Sequence, residues 1–363
     1  MNKSRFFLAL ISLTLIGQGC LRLKPNDGGV FRSVTKGELW EQKSQILSTG
    51  GRIRDFSNVD VLTLIIDPSD HRALYAGTNG QGIFYTYDGG ESWQQFPQFS
   101  AGAVKAMAVD AVNKTIIYAS VGNRIFKTFD GGRNWQQVFV DTRENALITT
   151  IAADPSSSGL LFAGNRAGDI LRTNDGGFSW TVVKRLDNPI VKILVHPSNR
   201  FIVYAATEDR GIFKSSDNGA VWIDLNSGLK QFSGALSVKD LIFIDKGGEG
   251  LMFSSRYGLI RSYNGGLNWQ PLSLLTPPGT ATIRALAVNQ NNNKEIYYAT
   301  NSTFYRSFDA GVKWSNKQLP SSRQPSALLI DQVNPNVLYL GLIQIVENKQ
   351  QSFFYFAPYE TNR

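Results

Sequence analysis

An all-β fold built from repeated sheets is what this chain of 363 residues predicts, and three observations carry the prediction. Seven tryptophans each close the same eight-residue box, with a hydroxyl residue, an acidic or amide residue, a glycine and the Trp at offsets 0, 2, 4 and 7. Successive boxes begin 42 to 53 residues apart. Outside the first twenty residues no window holds a helical period, while short apolar runs bounded by turn residues recur throughout.

The complete boxes are Thr86-Asp88-Gly90-Trp93, Thr128-Asp130-Gly132-Trp135, Thr173-Asp175-Gly177-Trp180, Ser215-Asp217-Gly219-Trp222 and Ser307-Asp309-Gly311-Trp314. Ser262-Asn264-Gly266-Trp269 carries the amide, and Ser33-Thr35-Gly37-Trp40 carries a hydroxyl in the same place. Asp-Gly-Gly between strand-like runs is a tight-hairpin signal, because glycine takes positive φ without a Cβ penalty. The carboxylate and hydroxyl are suited to bonding backbone N–H groups inside the turn, which makes the box a staple. The Trp then leaves the hairpin at a constant position for packing against a sheet.

Upstream of six boxes lies a pair of apolar runs, over 61–78, 104–121, 148–165, 190–207, 238–255 and 283–300, and a seventh pair, 326–342, follows the last box. The first box has no pair before it. The unmatched halves at the two chain ends therefore make one further unit, and the spacing suits a four-stranded blade. The expectation is a single seven-bladed β-propeller over 29–363, closed by N- and C-terminal strands sharing a sheet, which leaves no edge to pair with other chains. The segment SFFYFAP at 352–358 competes with 29–33 for a place in that sheet.

Residues 1–19 read as an export signal: Lys3 and Arg5, then an apolar stretch too short to span a bilayer. Cys20 is the only cysteine and stands where a bacterial lipoprotein is cut and acylated, with Gly17 in the place where Leu is usual. Residues 20–28 are then a lipidated tether that keeps the propeller within about 30 Å of the membrane. A lone cysteine excludes an internal disulfide, so stability has to come from packing and closure.

Catalytic signatures are sparse. Two histidines, His71 and His196, lie far apart, so a metal site is not expected, nor is any cofactor. His196-Pro197 stands where other repeats have Asp67-Pro68 or Asp154-Pro155 and reads as a turn residue. No phosphate loop or nucleophile elbow is present. The turns after the second strand of each repeat are more regular. Arg124, Arg166, Arg210 and Arg256 fall there at nearly the same place in four successive repeats. Lys105, Lys192, Lys239 and Arg284 sit one or two residues into the first strands and form an expected second tier at the same end. Removing Lys3 and Arg5 with the leader leaves 35 basic residues against 29 acidic ones. Concentrated at one end of a channel, that surplus makes a strong local field. The expected partner is an acidic protein segment or a subunit of a membrane complex, with the membrane surface beside it; nucleic acid is not expected for an exported, tethered chain, and the protein is expected to be a monomer.

The boxes and the leader together resemble the bacterial Asp-box (BNR) propellers, which include sialidases, xyloglucan-degrading hydrolases, sortilin-type receptors and the lipid-anchored photosystem II stability and assembly factors. The resemblance covers the mature chain. One domain, seven units and a lipoprotein leader look most like the assembly-factor branch, which implies a non-catalytic protein-binding scaffold facing the periplasm, cell surface or thylakoid lumen. Repeats such as YAGTNGQGIFYTYDGGESW look as close to the hydrolase and sortilin style. The second implication is therefore a secreted glycoside hydrolase, with Glu208 and Asp209 as the candidate acids of the second-strand turns. Sialidase chemistry implies an arginine trio and a Tyr-Glu pair, and no motif here supplies them.

Overall fold

A computed structural model describes residues 26–47 and 54–345. Alternating, β-branched and aromatic runs form antiparallel strands throughout, and the one helical turn among the described residues is the 3-10 segment Pro97–Phe99. No helix there is long and apolar enough to cross a membrane. The leader, Cys20 and SFFYFAP all lie outside the described residues.

Each repeat folds as a unit of four strands in chain order. Unit 1 comprises Val61–Asp67, Asp70–Gly80, Ile83–Thr86 and Gln94–Gln95, and unit 2 comprises Gly102–Val109, Ile117–Val121, Arg124–Thr128 and Gln136–Val140. Unit 3 follows with Ile148–Ala153, Leu161–Asn165, Asp169–Thr173 and Thr181–Arg185. Units 4 and 5 begin at Ile190–Val195 and Val238–Phe243, and unit 6 runs from Ala285–Val288 to Ser315–Gln318. A further sheet is assembled from both chain ends: Gln324–Ile330 pairs with Leu338–Ile343, which pairs with Val30–Ser33, which pairs with Glu41–Gln42. The third-strand place in this shared sheet is thus taken by Val30–Ser33. First strands neighbour one another in chain order, and Gln324–Ile330 lies beside both Ala285–Val288 and Val61–Asp67.

The core lies between sheets, because every sheet has two faces to cover. Ala106, Tyr118 and Ile125 of unit 2, for example, pack with Ile148, Ile151 and Leu161 of unit 3. Second strands are the most enclosed: Leu161–Asn165, Val203–Thr207 and Leu251–Ser255 are buried at every position.

The boxes are built alike. In unit 1 the Thr86 hydroxyl donates to Asp88 and accepts the Gly90 N–H at 3.1 Å, while Asp88 accepts the Ser92 N–H at 3.0 Å. Asn264 accepts the Asn268 N–H at 2.9 Å, and the Thr35 hydroxyl accepts the Leu39 N–H at 2.9 Å. What the position needs is an acceptor oxygen; the charge is dispensable. The box glycine serves a close approach as well as a positive φ: a Cβ at Gly132 would overlap Phe96 of unit 1, and one at Gly37 would overlap Phe304 of unit 6.

Five of the seven boxes also tie their unit to both neighbours. The Trp reaches backwards. Trp135 lies 4.7 Å from Phe99 and Trp180 5.8 Å from Phe139, while Trp269 and Trp314 donate to Leu225 O and Ser273 O of the preceding units. The residue before the box hydroxyl reaches forwards. Arg32 donates to Gly89 O, Lys127 to Gly176 O, Arg172 to Asn218 O, Arg261 to Ala310 O and Arg306 to Lys36 O, at 2.7 to 3.2 Å. Every acceptor is the third residue after the box hydroxyl of the next unit, held at positive φ.

Candidate functional site

The end opposite the boxes is where first strands begin and where second strands turn into third strands. Here the turns share a frame. The backbone N–H groups of Asn79, Arg166, Glu208 and Arg256 donate to Asp60 O, Leu147 O, Pro189 O and Ser237 O, at 2.8 to 3.1 Å. These four residues are structural equivalents.

That equivalence corrects the sequence reading of the arginines. Arg166 and Arg256 share one position, directly after the second strand, whereas Arg124 and Arg210 stand three residues after theirs, Arg124 as the first residue of its third strand and Arg210 two residues before its own. Arg124 lies opposite Val140 in register, and Arg210 is committed to Leu186 O at 2.7 Å. All four are exposed. The side chains of Arg124, Arg166 and Arg256 have no hydrogen-bond or ion-pair partner among the described residues.

The second tier divides too. In units 1, 3, 4 and 5 and in the shared sheet a β-bulge falls just inside the first strand, at Leu62, Thr149, Val191, Lys239 and Ser326. Such a bulge re-aims the extra side chain. Lys239 occupies the bulge, and Lys105 and Arg284 hold the matching second position of their own runs. Lys192 is one residue further in and pairs with Asp240 at 3.4 Å. Lys239 faces Glu208 at 3.8 Å, and Arg284 donates to Asn301 at 2.8 Å. The tier is therefore partly neutralised, contrary to a uniformly basic mouth. Lys105 has no partner among the described residues. Its side chain reaches solvent yet is largely surrounded by protein, and desolvation pulls its ammonium pKa below the ordinary lysine value.

Sequence reasoning gave Glu208 and Asp209 as the only acids of these turns, and the structure adds two carboxylate pairs. Asp141 and Asp169, both buried, are bridged by Arg143, which lies 2.7 Å from Asp141, and both accept from Asn165 Nδ2 at 3.3 Å. Asp27 and Asp60 flank Arg323, at 3.7 and 2.7 Å. Hydrogen bonds from Arg143 hold the Asp141 carboxyl below the usual carboxylate range, against the opposing effect of burial. Each pair has a guanidinium between its members, and Asp169 and Asp60 were missed because their partners lie in other loops. Glu208 and Asp209 are both exposed, and the Asp209 N–H donates to Asn188.

His196 is buried, and its Nδ1 accepts the Ser198 and Asn199 N–H groups, as Asp154 Oδ1 accepts the Ser156 N–H in unit 3. Among the described residues no group of three or more His, Cys, Asp or Glu is placed to hold a metal ion.

No protein-family model matches the chain. A stretch of 76 residues is 37% identical to the xyloglucanase Xgh74A of Acetivibrio thermocellus, covering 21% of this chain and 9% of that protein. Among solved structures, a GH74 enzyme of Niastella koreensis superposes with a TM-score of 0.63 at 15% identity, over 83% of this chain and 53% of that one. YCF48 bound to a D1 peptide superposes with a TM-score of 0.59 at 17% identity, over 78% of this chain and 93% of that one. The chain spans about half of the first of these structures and less than a tenth of the curated relative. The structural neighbours are β-propeller proteins, and at these identities the likeness carries the fold alone.

Proposed function

We propose that the sheets close as a seven-bladed Asp-box propeller, exported and anchored through Cys20, and that it is a non-catalytic scaffold whose arginine-bearing end captures an acidic protein segment of a membrane or envelope complex. Residues 1–19 are the signal, 20–28 the tether and 29–363 the propeller in this reading. The neighbour relations of the first strands and the shared sheet support closure. The observation that carries the function is the charge pairing at the end opposite the boxes, where among the described residues three exposed arginines of the turns have no side-chain partner against one such acid, Asp209. The carboxylate pairs of this end are each occupied by an arginine and Glu208 faces Lys239, while Arg124, Arg166 and Arg256 stand exposed without a side-chain partner among the described residues. Guanidinium groups so placed suit carboxylates of a partner. The complex of YCF48 with a D1 peptide supports a protein segment as ligand on this fold.

The test is affinity capture of the tagged full chain from its native membrane, with Arg166→Glu and Arg256→Glu combined. Recovery of a membrane-complex subunit that falls at least roughly tenfold in the double variant, as expected for lost charge-assisted hydrogen bonds, supports the reading. Unchanged recovery, or recovery of lipid alone, removes it.

A second reading, glycoside hydrolysis, is favoured by the matched xyloglucanase stretch. Glu208 would then be the acid and would need a second carboxylate within about 5 to 10 Å across the channel mouth. Release of reducing sugar from xyloglucan that is lost in Glu208→Gln would establish it.

A further inference from the structure

The turn that carries Arg256 is framed by chain outside the repeat pattern. Unit 5 is entered from the long segment after Asp224, and its last strand, Gln270–Pro271, leads into another before Ile283. The stem of Arg256 lies against Gly234, the Tyr257 ring is 5.2 Å from Phe232, and the Gly279 N–H donates to Tyr257 O at 3.0 Å. Between turn and loop opens a cleft of about 230 Å³, lined by Tyr257, Gly258, Leu272, Leu274, Thr276 and Pro277. Gly258 sits at φ 143, and a side chain there would meet Leu274.

A cleft of this size is smaller than the roughly 300–1,000 Å³ of a small-molecule site, so one side chain suits it better than a sugar chain. Its lining is largely apolar, and Arg256, exposed and without a side-chain partner among the described residues, immediately precedes its Tyr257 in the chain. The complement of that pair of features is a carboxylate next to a large apolar side chain. We propose that Arg256 and the Tyr257–Leu274 cleft together read one acidic–apolar step in the captured protein segment, the carboxylate meeting the guanidinium while an aromatic or branched side chain fills the cleft. This rests on the reading of this end as a binding face for an acidic segment and adds which kind of acidic segment is chosen. Specificity then comes from the apolar neighbour, since a carboxylate alone would bind any exposed arginine.

The experiment uses the full chain and three fluorescein-labelled peptides in one Gly/Ser frame, with central Phe-Asp-Phe, Ala-Asp-Ala or Phe-Asn-Phe, read by fluorescence anisotropy. Phe-Asp-Phe should bind at least tenfold more tightly than either control. Thr276→Trp, which fills the cleft, should abolish the advantage of Phe over Ala and leave Ala-Asp-Ala binding intact. Leu274→Gln, which makes the wall polar, should act alike, and thermal melts of both variants confirm that they fold. Arg256→Glu should abolish the advantage of Asp over Asn. No preference for Phe in the parent chain, a Phe preference that survives both cleft variants, or no binding of Phe-Asp-Phe at about 1 mM overturns the proposal. If Asp is still preferred over Asn without any Phe preference, the cleft assignment alone falls. Should Asp and Asn probes bind equally and Arg256→Glu change nothing, the acidic-segment reading falls with it.

Discussion

The two ends of the sheets obey different rules. At the box end one set of contacts recurs from unit to unit: glycine N–H to the hydroxyl, the N–H of the residue before the Trp to the acceptor oxygen, Trp to the preceding unit and, in most units, a cation to the next. At the opposite end one structural position carries Asn79, Arg166, Glu208 and Arg256, which are neutral, basic, acidic and basic on the same backbone frame. The contrast teaches that a position repeated in sequence is one whose role is geometric. A position free to change charge without changing its backbone bond is one whose side chain is not required by the fold.

The largest test of that contrast is a pair of substitutions. Trp93 is fully buried and lies edge-on to Phe56 at 5.4 Å, so Trp93→Ala should lower stability by about 3–5 kcal/mol, the usual cost of emptying a large aromatic site. Arg166→Glu, on an exposed turn, should stay within about 0.5 kcal/mol. Urea unfolding midpoints at constant slope compare them directly. A loss in Arg166→Glu approaching that of Trp93→Ala would mean that the variable end also holds the fold together.

Arg143 is the place where the contrast should bend, because it lies at the variable end and yet bridges two buried carboxylates. Breaking a fully buried pair costs about 3–5 kcal/mol, but Arg143 is itself half exposed, which brings Arg143→Ala down to about 1–3 kcal/mol. The sign of the pH effect follows from Asp141, whose folded pKa is depressed chiefly by Arg143. A depressed carboxyl contributes stability that is present above its unfolded value and lost as pH falls through the folded one. The gap between parent and variant should therefore be widest near neutrality and narrow steadily on acidification. A gap that widens in acid would show that Arg143 acts by some other route than holding Asp141 ionised.

Much of this was legible before any coordinates. The Trp boxes carried the period, the hairpins and the chain-end pairing, because each requirement is local: an acceptor two residues on, a glycine four residues on, an aromatic seven residues on. The forward cation was legible as well but went unread: Arg32, Lys127, Arg172, Lys214, Arg261 and Arg306 each stand immediately before a box hydroxyl, and Tyr85 is the exception. Tyr85 stacks on Phe96 at 4.2 Å instead, and at that same junction units 1 and 2 are joined by pairing of Asn79 and Gly80 with Ala103 and Gly102. The charge pairing of the opposite end was not legible. Which acid meets Arg143 or Arg323 depends on loops from different units, and the one-residue difference that sends Lys192 to Asp240 while Lys239 takes the bulge is a matter of register. The alignment of Arg124 with Arg166 failed for a similar reason: Arg166 directly follows its second strand while Arg124 comes three residues after its own, so a similar place in the repeat does not give an equal position on the turn.

The forward cation supplies the finest test of the comparison. Arg261 donates to the carbonyl of Ala310, a residue without a glycine's freedom that is nonetheless held at φ 61. Arg261→Met keeps the apolar stem but leaves that carbonyl without its charged donor, which should cost about 1–2 kcal/mol. Arg261→Lys should recover most of the loss, since Lys127 already makes the equivalent bond in unit 2 with its ammonium at 2.8 Å. Arg284→Met at the other end removes a contact to Asn301 within its own unit and should cost less than about 0.5 kcal/mol. If Arg261→Lys were as damaging as Arg261→Met, guanidinium shape rather than a cation's reach to the next box would be the requirement. The appearance of lysine before the boxes of units 2 and 4 would then need another explanation.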